Sequence, residues 1–317
     1  MAVSGSASTS SEAPLATRTL DRCLACGGAR LAPLALRYEH GGARFPLVQC
    51  RACGMRFLAV QPVGASLAAL YDEPYFEADY RCGRAAASSF EESAFAAENR
   101  ALVDAFEALG PPGRLLDVGC ASGWLLRHAA ARGWRVYGVE PSPAAASFAR
   151  SLGLEVFGGE LTAAALPDAS FDWVYMGDVL EHVPDCRATV HEVARVLAPG
   201  GRLYLRGPIT THSIARSLAL ALYRAAGREI VLREPPYHLW EFTPRPLVRL
   251  LRATGLEVIA LSQSKIPPGR AHGRKSPSQR FALALLDAIN VPLTRAFNVR
   301  GDRLMLMARK PESPVAR

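Results

Sequence analysis

Residues 114–123, Arg-Leu-Leu-Asp-Val-Gly-Cys-Ala-Ser-Gly, constrain the fold more than any other stretch of the chain. The apolar run that starts at Leu115 predicts a buried strand, and the apolar pattern that begins at Trp124 predicts a helix. Gly119 and Gly123 lie between them, and glycine permits the positive φ that a tight turn needs. We therefore expect a strand, a glycine turn and a helix, with the N–H groups at the start of the helix free to meet a ligand.

Two acidic residues follow neighbouring predicted strands. Asp117 lies at the carboxyl end of the first strand, where its charge would meet a ligand that carries an amine. Glu140 ends the next predicted strand, 135–139, and an acid in that position can accept hydrogen bonds from both hydroxyls of a ribose. The dinucleotide fingerprint needs three glycines in the turn, and only two are present here. The pattern is therefore not that of a dinucleotide site.

Three later stretches extend the pattern: Phe171-Asp-Trp-Val, Leu180-Glu-His-Val, and a predicted helix that ends at Pro199-Gly-Gly before another strand. Together with the glycine turn and its two acids, they resemble the class I S-adenosylmethionine (SAM)-dependent methyltransferases. The resemblance covers about residues 61–310.

The resemblance implies a fold, a reaction and a set of cofactor-binding residues. The fold is a doubly wound, Rossmann-like α/β sheet with an antiparallel last strand. The reaction is transfer of the SAM methyl group to a small-molecule acceptor, at an oxygen or a carbon atom of a sugar, a lipid or a secondary metabolite. The residues implied to bind the cofactor are Asp117, Gly119, Cys120, Ala121, Gly123, Glu140, Pro141, Glu160, Leu161, Gly177 and Asp178.

Two histidines are candidate general bases, which an acceptor hydroxyl or acidic carbon requires. Imidazole suits this role because it titrates near neutral pH. His182 follows the fourth predicted core strand, but this histidine is frequent in the family whatever the acceptor, so packing is its alternative role. His238 lies outside the core strands beside Tyr237 and Trp240 and is the preferred base, with a structural role as its alternative.

Two Cys-x-x-Cys pairs, each followed by glycine, precede the core. They consist of Cys23, Cys26, Cys50 and Cys53. Two intervening residues let both sulfurs of a pair face one ion, and four thiolates suit a structural zinc ion with no open position. We predict a zinc-ribbon-like module with a hairpin around Gly41-Gly42. A redox pair, free thiols or iron in place of zinc are the alternatives.

The sequence predicts five segments. They are a disordered tail at 1–20, a zinc-ribbon-like module at 21–60, a helical cap or linker at 61–110, a methyltransferase domain at 111–310 with inserts at 208–236 and 265–300, and a tail at 311–317. Within the cap, Tyr71 to Phe76 predicts a turn with exposed aromatic side chains. They would roof the pocket or pack a capping helix.

The formal net charge of +8 is unevenly placed along the 317 residues. Residues 265–317 hold eleven Lys or Arg against three acidic residues and so carry the whole excess. A phosphate-bearing acceptor or an anionic membrane surface would be drawn to this segment, and a solvated arginine-rich face is the alternative. No apolar run is long enough to span a membrane, and no secretory signal is recognised. We expect a cytoplasmic protein, and its oligomeric state is left open.

A nucleic-acid-directed protein is the alternative function, either a zinc-ribbon RNA methyltransferase or a non-catalytic binding module. The basic C-terminal segment allows it. However, residues 21–60 lack a basic, aromatic-rich face, and no Asn-Pro-Pro-Tyr motif follows the fourth strand. The intact Asp117, Gly119 and Glu140 also argue against an inactive core. The sequence therefore favours a small-molecule acceptor over nucleic acid.

Overall fold

The computed structural model describes residues 15–71, 95–265 and 277–312, without the side chains of residue 210 and residues 277–283. The first elements in chain order are β1 (Thr17–Thr19), β2 (Leu31–His40), β3 (Ala43–Cys50), β4 (Arg56–Leu58), β5 (Val60–Pro62), α1 (Gly64–Ala68), α2 (Ala96–Glu107), β6 (Arg114–Val118), α3 (Trp124–Ala131), β7 (Arg135–Glu140), α4 (Pro143–Ser151) and β8 (Val156–Gly158). The remaining elements are β9 (Phe171–Gly177), α5 (Cys186–Val196), β10 (Leu197–Pro208), α6 (Ile214–Ala225), β11 (Ile230–Leu232), β12 (Trp240–Glu241), α7 (Pro244–Ala253), β13 (Glu257–Ser264), α8 (Pro277–Phe297) and β14 (Arg303–Arg309).

A seven-stranded sheet in the order β13-β14-β10-β9-β6-β7-β8 forms the centre of the fold. Strands β10, β9, β6, β7 and β8 are parallel to their neighbours within this group, whereas β14 is antiparallel to both β10 and β13. The predicted Rossmann-like sheet with an antiparallel last strand is therefore confirmed. Because parallel strands end at the same edge, the carboxyl ends of β6, β7, β9 and β10 form one edge, where open α/β sheets bind ligands.

Apolar side chains cover both faces of the central strands. Leu115 and Leu116 on β6 point to opposite faces of the sheet, and both are fully buried. Val174 and Met176, which share one face of β9, are also fully buried. Strands that are buried on both faces have continuous apolar runs, which explains the sequence pattern around β6. Burial of each such side chain contributes about 1.5–3 kcal/mol, so the core holds the strand ends firmly.

A second sheet has five strands in the order β11-β2-β3-β4-β12. The cysteine pairs lie at its end: Cys50 is the last residue of β3, Cys53 lies between β3 and β4, and Cys23 and Cys26 precede β2. Its hairpin of β2 and β3 turns at Gly41-Gly42, where both glycines have positive φ. The predicted hairpin is thus present, but the sheet is not confined to residues 21–60. Strands β11 and β12 come from the part of the chain that follows β10, and the fully buried Trp240 of β12 packs against Phe57 of β4.

The structure corrects the predicted boundaries near the N-terminus. Thr17–Thr19 lies within the predicted disordered tail, yet it forms β1 and pairs with β5. The predicted helical cap at 61–110 begins with a strand, Val60–Pro62, before α1 and α2. These short polar strands carry no hydrophobic periodicity, and only the pairing with a distant partner defines them. Of the predicted aromatic turn, Tyr71 is half-buried, and Tyr75 and Phe76 lie outside the described residues.

The two inserts in the methyltransferase domain each contain a helix, α6 in the first and α8 in the second. None of the helices in the described ranges combines the length and the apolar composition that crossing a bilayer requires.

Candidate functional site

The glycine turn between β6 and α3 requires both of its glycines. Gly119 and Gly123 have φ values of 74° and 76°, which side-chain-bearing residues rarely adopt. A Cβ on Gly119 would overlap Cγ2 of Val179, and a Cβ on Gly123 would lie 2.6 Å from Cδ1 of Leu154. The turn is therefore fixed by close packing as well as by backbone conformation.

Three N–H groups of this turn make hydrogen bonds within the protein; they precede α3, so they do not test the expectation for the N–H groups at the start of the helix. Those of Gly119 and Cys120 donate to the carbonyl oxygen of Val139, at 2.7 and 3.2 Å. The N–H of Ala121 donates to Oε2 of Glu140 at 2.9 Å. The turn folds back over the end of β7, and that contact uses its donors. An anion at these groups would have to displace bonds already made.

Asp117 is buried at the end of β6, with only 3% of its surface exposed. Its Oδ1 has no hydrogen-bond partner among the described residues. Burial raises the pKa of Asp117 to about 8, the nearby charge of Glu140 adds to the rise, and Arg206 opposes it. A buried carboxylate oxygen without a partner is costly, so this position fits a ligand that donates a hydrogen bond or carries a positive charge.

Glu140 is held in place at the end of β7. Its Oε1 accepts a hydrogen bond from the N–H of Ser142 at 2.8 Å, and its Oε2 accepts the bond from Ala121 described above. Burial raises the pKa of Glu140, while these two N–H donors oppose the rise. Each carboxylate oxygen retains a second lone pair, so both can accept one further hydrogen bond.

Other predicted cofactor residues follow β7 and β8, and the N–H of Gly159 after β8 donates to the carbonyl oxygen of Glu140 at 3.0 Å. Leu161 is buried, and Glu160 and Pro141 are exposed. The Sγ of Cys120 packs against Gly138, where an added Cβ would lie 2.7 Å away. The Cys120 side chain therefore belongs to the core, and only its backbone borders the turn.

Gly177 and Asp178 follow β9. A Cβ on Gly177 would overlap the hydroxyl of Tyr175, so a side chain there would have to displace the Tyr175 ring. Asp178 has a φ of 57°, and its Oδ2 lies 2.6 Å from Nη2 of Arg303. Arg206 on β10 lies 3.7 Å from the same oxygen. Oδ2 of Asp178 is thus engaged by two arginines, and the backbone N–H of Asp178 donates to the carbonyl oxygen of Arg206 at 2.9 Å.

The structure brings both candidate bases together in what we call the histidine cluster: Glu181, His182 and His238. The two imidazole ring centres are 4.9 Å apart. Nδ1 of His182 lies 2.9 Å from the carbonyl oxygen of Tyr237, which can only accept, so Nδ1 carries the proton and Nε2 offers a lone pair. The hydroxyl of Tyr71 also contacts this Nδ1, at 3.0 Å.

Burial keeps His182 neutral, and it raises the pKa of the neighbouring Glu181 carboxyl group. The pKa of His182 is lowered to about 3, chiefly by burial and also by His238. Glu181 is 3% exposed, and its Oε1 lies 3.9 Å from Nε2 of His182 without a hydrogen-bond partner in the described part of the chain. Burial raises the pKa of Glu181 well above its usual range, and the charge of Asp178 adds to this.

The histidine cluster could also hold a cation, because one ligand atom from each of its three residues lies within 4.8 Å of the others. Two imidazoles and a carboxylate suit a divalent transition metal. Sequence reasoning did not select Glu181 as a site residue. The available signal was its position beside His182 after a core strand. Tyr71 had no comparable signal, because only the tertiary fold brings it to the cluster.

The five-stranded sheet places His238 in the cluster. The N–H groups of Leu239 and Trp240 donate to the carbonyl oxygen of Glu181, at 2.8 and 3.1 Å. Nε1 of Trp240 donates to the carbonyl oxygen of Val183 at 2.7 Å. Trp240 also begins β12, which pairs with β4 of the five-stranded sheet. The segment that carries His238 is therefore hydrogen-bonded both to this sheet and to the loop after β9.

The four predicted metal ligands form one compact group, which we call the cysteine cluster. The sulfur atoms of Cys23 and Cys53 are 3.7 Å apart. Those of Cys26 and Cys50 are 3.6 Å apart, and all four lie within 4.8 Å of one another. Four thiolates about 2.3 Å from a central zinc ion would be about 3.8 Å apart. The hydrogen bond from the Cys23 thiol is the main cause that lowers the pKa of Cys53 to about 5.

Comparison with known proteins agrees with this geometry. The methyltransferase domain family matches residues 90–261. A ubiquinone biosynthesis O-methyltransferase from Azoarcus sp. (strain BH72) is 34% identical over 161 residues, which is 47% of this chain and 66% of the relative. One from Xylella fastidiosa (strain 9a5c) is 33% identical over 172 residues, covering 51% and 68%. The chain thus spans about two thirds of the length of these relatives.

Among solved structures, a SAM dependent methyltransferase from Archaeoglobus fulgidus matches with a TM-score of 0.50 and 17% identity, covering 74% of this chain and 98% of that one. This likeness concerns the fold. The family match over more than half of the chain leads to one conclusion: the chain belongs to the SAM-dependent methyltransferases.

Proposed function

We propose that the chain transfers the methyl group of SAM to a hydroxyl oxygen of a small-molecule acceptor. The observation that carries the proposal is the pair of buried carboxylates, Asp117 and Glu140, at the ends of adjacent strands beside the glycine turn. The histidine cluster follows β9 at the same edge of the sheet. The names of the two relatives support an oxygen rather than a carbon acceptor.

In this proposal residues at the ends of β6, β7 and β9 would hold the cofactor. The unpaired oxygen of Asp117 would accept a hydrogen bond from the amine at the methionine end, and Glu140 would accept hydrogen bonds from the ribose hydroxyls with its remaining lone pairs. Leu161 would pack against the adenine. The backbone of Gly119, Cys120, Ala121, Gly123, Pro141, Glu160, Gly177 and Asp178 lines the rest of the cofactor site.

The sulfonium of SAM is already activated, so the residues mainly have to align the acceptor oxygen with the methyl group. Bound SAM would supply the methyl group, the carbon–sulfur bond would break as the oxygen–carbon bond forms, and His238 would take the hydroxyl proton. His238 is the better base because 30% of its side chain is exposed, whereas only 14% of the His182 side chain is exposed and its Nδ1 is bonded to the carbonyl oxygen of Tyr237. In this arrangement His182 and Glu181 position His238.

We further propose that the cysteine cluster binds a structural zinc ion. Its four sulfurs leave no open coordination position, so the ion would not take part in the chemistry. Its role is to hold the five-stranded sheet, which carries the segment that contains His238. A cytoplasmic location and the absence of a nucleic-acid partner remain parts of the proposal.

Calorimetric titration with SAM, followed by transfer of labelled methyl to a panel of hydroxyl-bearing small molecules, tests the proposal. We expect SAM to bind and label to appear on an oxygen atom. Failure of the wild-type chain to bind SAM would overturn the cofactor assignment. Label found on carbon, or on RNA in preference to every small molecule, would overturn the acceptor assignment.

A further inference from the structure

Helix α6 exposes an apolar face to solvent. Leu218, Ala221, Leu222 and Ala225 are all exposed and follow one another at intervals of three or four residues, so they lie on one face of the helix. The exposed fractions of Leu218 and Leu222 are 46% and 60%. An amphipathic helix normally turns this face to the core. Here the apolar face points outward.

Helix α8 has the same unusual arrangement. Leu285, Ala288, Ile289, Pro292 and Ala296 are exposed and share one face, and 62% of both Leu285 and Ile289 is exposed. Helices α6 and α8 are in contact with each other. We call the two exposed rows together the α6–α8 surface. Isolated exposed apolar residues are ordinary, but an exposed apolar row on each of two touching helices is typical of an interaction site.

The topology places the α6–α8 surface at the ligand-binding edge of the central sheet. Helix α6 follows the carboxyl end of β10, at Pro208. Helix α8 joins the end of β13 to the start of β14, and Ser264 and Arg303 are paired at that point. Pro208 also pairs with Arg303. Both helices therefore arise from the same edge as Asp117 and Glu140.

Positive charge flanks the apolar rows. Arg224 and Arg228 lie at the end of α6, and Arg295 and Arg300 lie at the end of α8. All four are exposed, and within the described ranges none of them has a carboxylate at ion-pair distance. Asp287, the acid on α8, is half-buried, and its Oδ1 lies 3.2 Å from Nζ of Lys265. The surface is thus apolar at its centre and positive at its margin.

We propose that the α6–α8 surface docks onto an anionic lipid bilayer. The apolar rows enter the boundary between headgroups and acyl chains, and the flanking arginines meet lipid phosphates. A second copy of the chain fits less well, because a symmetric contact sets the same patch against itself and would bring unpaired arginines together. Anionic headgroups supply the missing counter-charge. The proposal adds a partner and does not depend on the acceptor.

Co-sedimentation of the full chain with vesicles tests the proposal. We expect binding to phosphatidylcholine vesicles that contain phosphatidylglycerol, weaker binding to phosphatidylcholine alone, and loss of the difference at high salt. The double variant Leu222→Glu/Ile289→Glu should lower the affinity for the anionic vesicles at least about tenfold, because it puts two charges into the apolar boundary. Its SAM binding should remain as in the wild type, which shows that it is folded.

Leu109→Glu is the matched control. Leu109 is 45% exposed, similar to Leu218, but it precedes β6 at the opposite edge of the sheet. Its vesicle binding should equal that of the wild type. Equal vesicle binding by the double variant would overturn the proposal. Absence of vesicle binding by the wild type would also overturn it. If the wild type instead self-associates and the double variant does not, the surface binds a second copy of the chain.

Discussion

The glycine turn and the histidine cluster lie at one edge of the central sheet, but different parts of the chain hold them there. The turn and its acids, Asp117 and Glu140, come from two adjacent strands and the loop between β6 and α3. The histidine cluster joins the loop after β9 to the segment before β12, and Tyr71 after α1 completes its hydrogen bonds. One region is local in sequence. The other is assembled from three distant segments.

This difference means that the two regions can fail separately. The core strands fix the carboxylates, so changes in the five-stranded sheet should leave cofactor binding nearly intact. His238 depends on that sheet, because Leu239 and Trp240 are bonded to Glu181 while β12 pairs with β4. SAM affinity and turnover should therefore respond separately to changes in the two regions.

Replacement of His238 by alanine should produce the largest effect. Loss of a general base lowers turnover by about 10²–10⁴-fold. SAM affinity should change little, because His238 lies outside the cofactor strands. Turnover is measured with labelled SAM and the identified acceptor, and SAM affinity by calorimetry.

The control for this variant is His191→Ala, since His191 is an exposed histidine on α5. It should leave both quantities unchanged. If His238→Ala retains full turnover, the base lies elsewhere and the histidine cluster is structural.

The same contrast explains what could be predicted from the sequence. The glycine turn, Asp117 and Glu140 occur in strands with clear apolar runs, so local patterns were enough to place them. The cysteine spacing likewise indicated that four sulfurs would converge. Strand β12 has two residues and β1 has three, so neither is long enough to show the alternation of apolar and polar residues that predicts a strand. The site around His182 depends on these short pairings and on Tyr71, and no local pattern could have revealed it.

The variant Cys50→Ser, which removes one ligand from the cysteine cluster, should reduce turnover about a hundredfold. A displacement of the base by about 1 Å is enough to cause a loss of this size. Cys50 ends β3, so a lost metal–sulfur bond loosens the sheet that carries β12. SAM affinity should stay within about threefold of the wild type. The corresponding change in binding free energy is smaller than the typical contribution of one hydrogen bond. Metal analysis should find one zinc ion in the wild type and less in the variant. An equal fall in SAM affinity and turnover would contradict separate support of the two regions.

Glu140→Gln should act on the other region. Replacing a charged acceptor weakens its hydrogen bonds to the ribose by about 1.5–3 kcal/mol, which lowers SAM affinity about 10–100-fold. Turnover at saturating SAM should change much less. The matched control is Glu155→Gln, an exposed acid just before β8. Unchanged SAM affinity in Glu140→Gln would mean that Glu140 only fixes the turn through Ala121 and Ser142.

Gly119→Ala tests whether the turn is held by packing. Both Gly119 and its control, Gly133, have positive φ, but an added Cβ meets Val179 only at Gly119 and meets nothing within 4 Å at Gly133. Gly133→Ala should lower the free energy of unfolding by about 1–2 kcal/mol, from backbone strain alone. Gly119→Ala should lower the free energy of unfolding by about 1–3 kcal/mol more than Gly133→Ala does, because its Cβ overpacks against Val179. Equal losses in thermal or denaturant unfolding would show that Val179 can move aside.

The smallest effect is a proton released when SAM binds. Because burial raises the pKa of Asp117 to about 8, this carboxyl group is mostly protonated at pH 7 without a ligand. An ammonium group beside it favours the ionised form, so binding should release up to about one proton, and SAM affinity should rise as the pH approaches 8. Calorimetry in buffers of different ionisation enthalpy measures the release. Asp117→Asn should abolish it. Proton release that persists in this variant would place the titrating group elsewhere, and the amine of SAM would then lie away from β6.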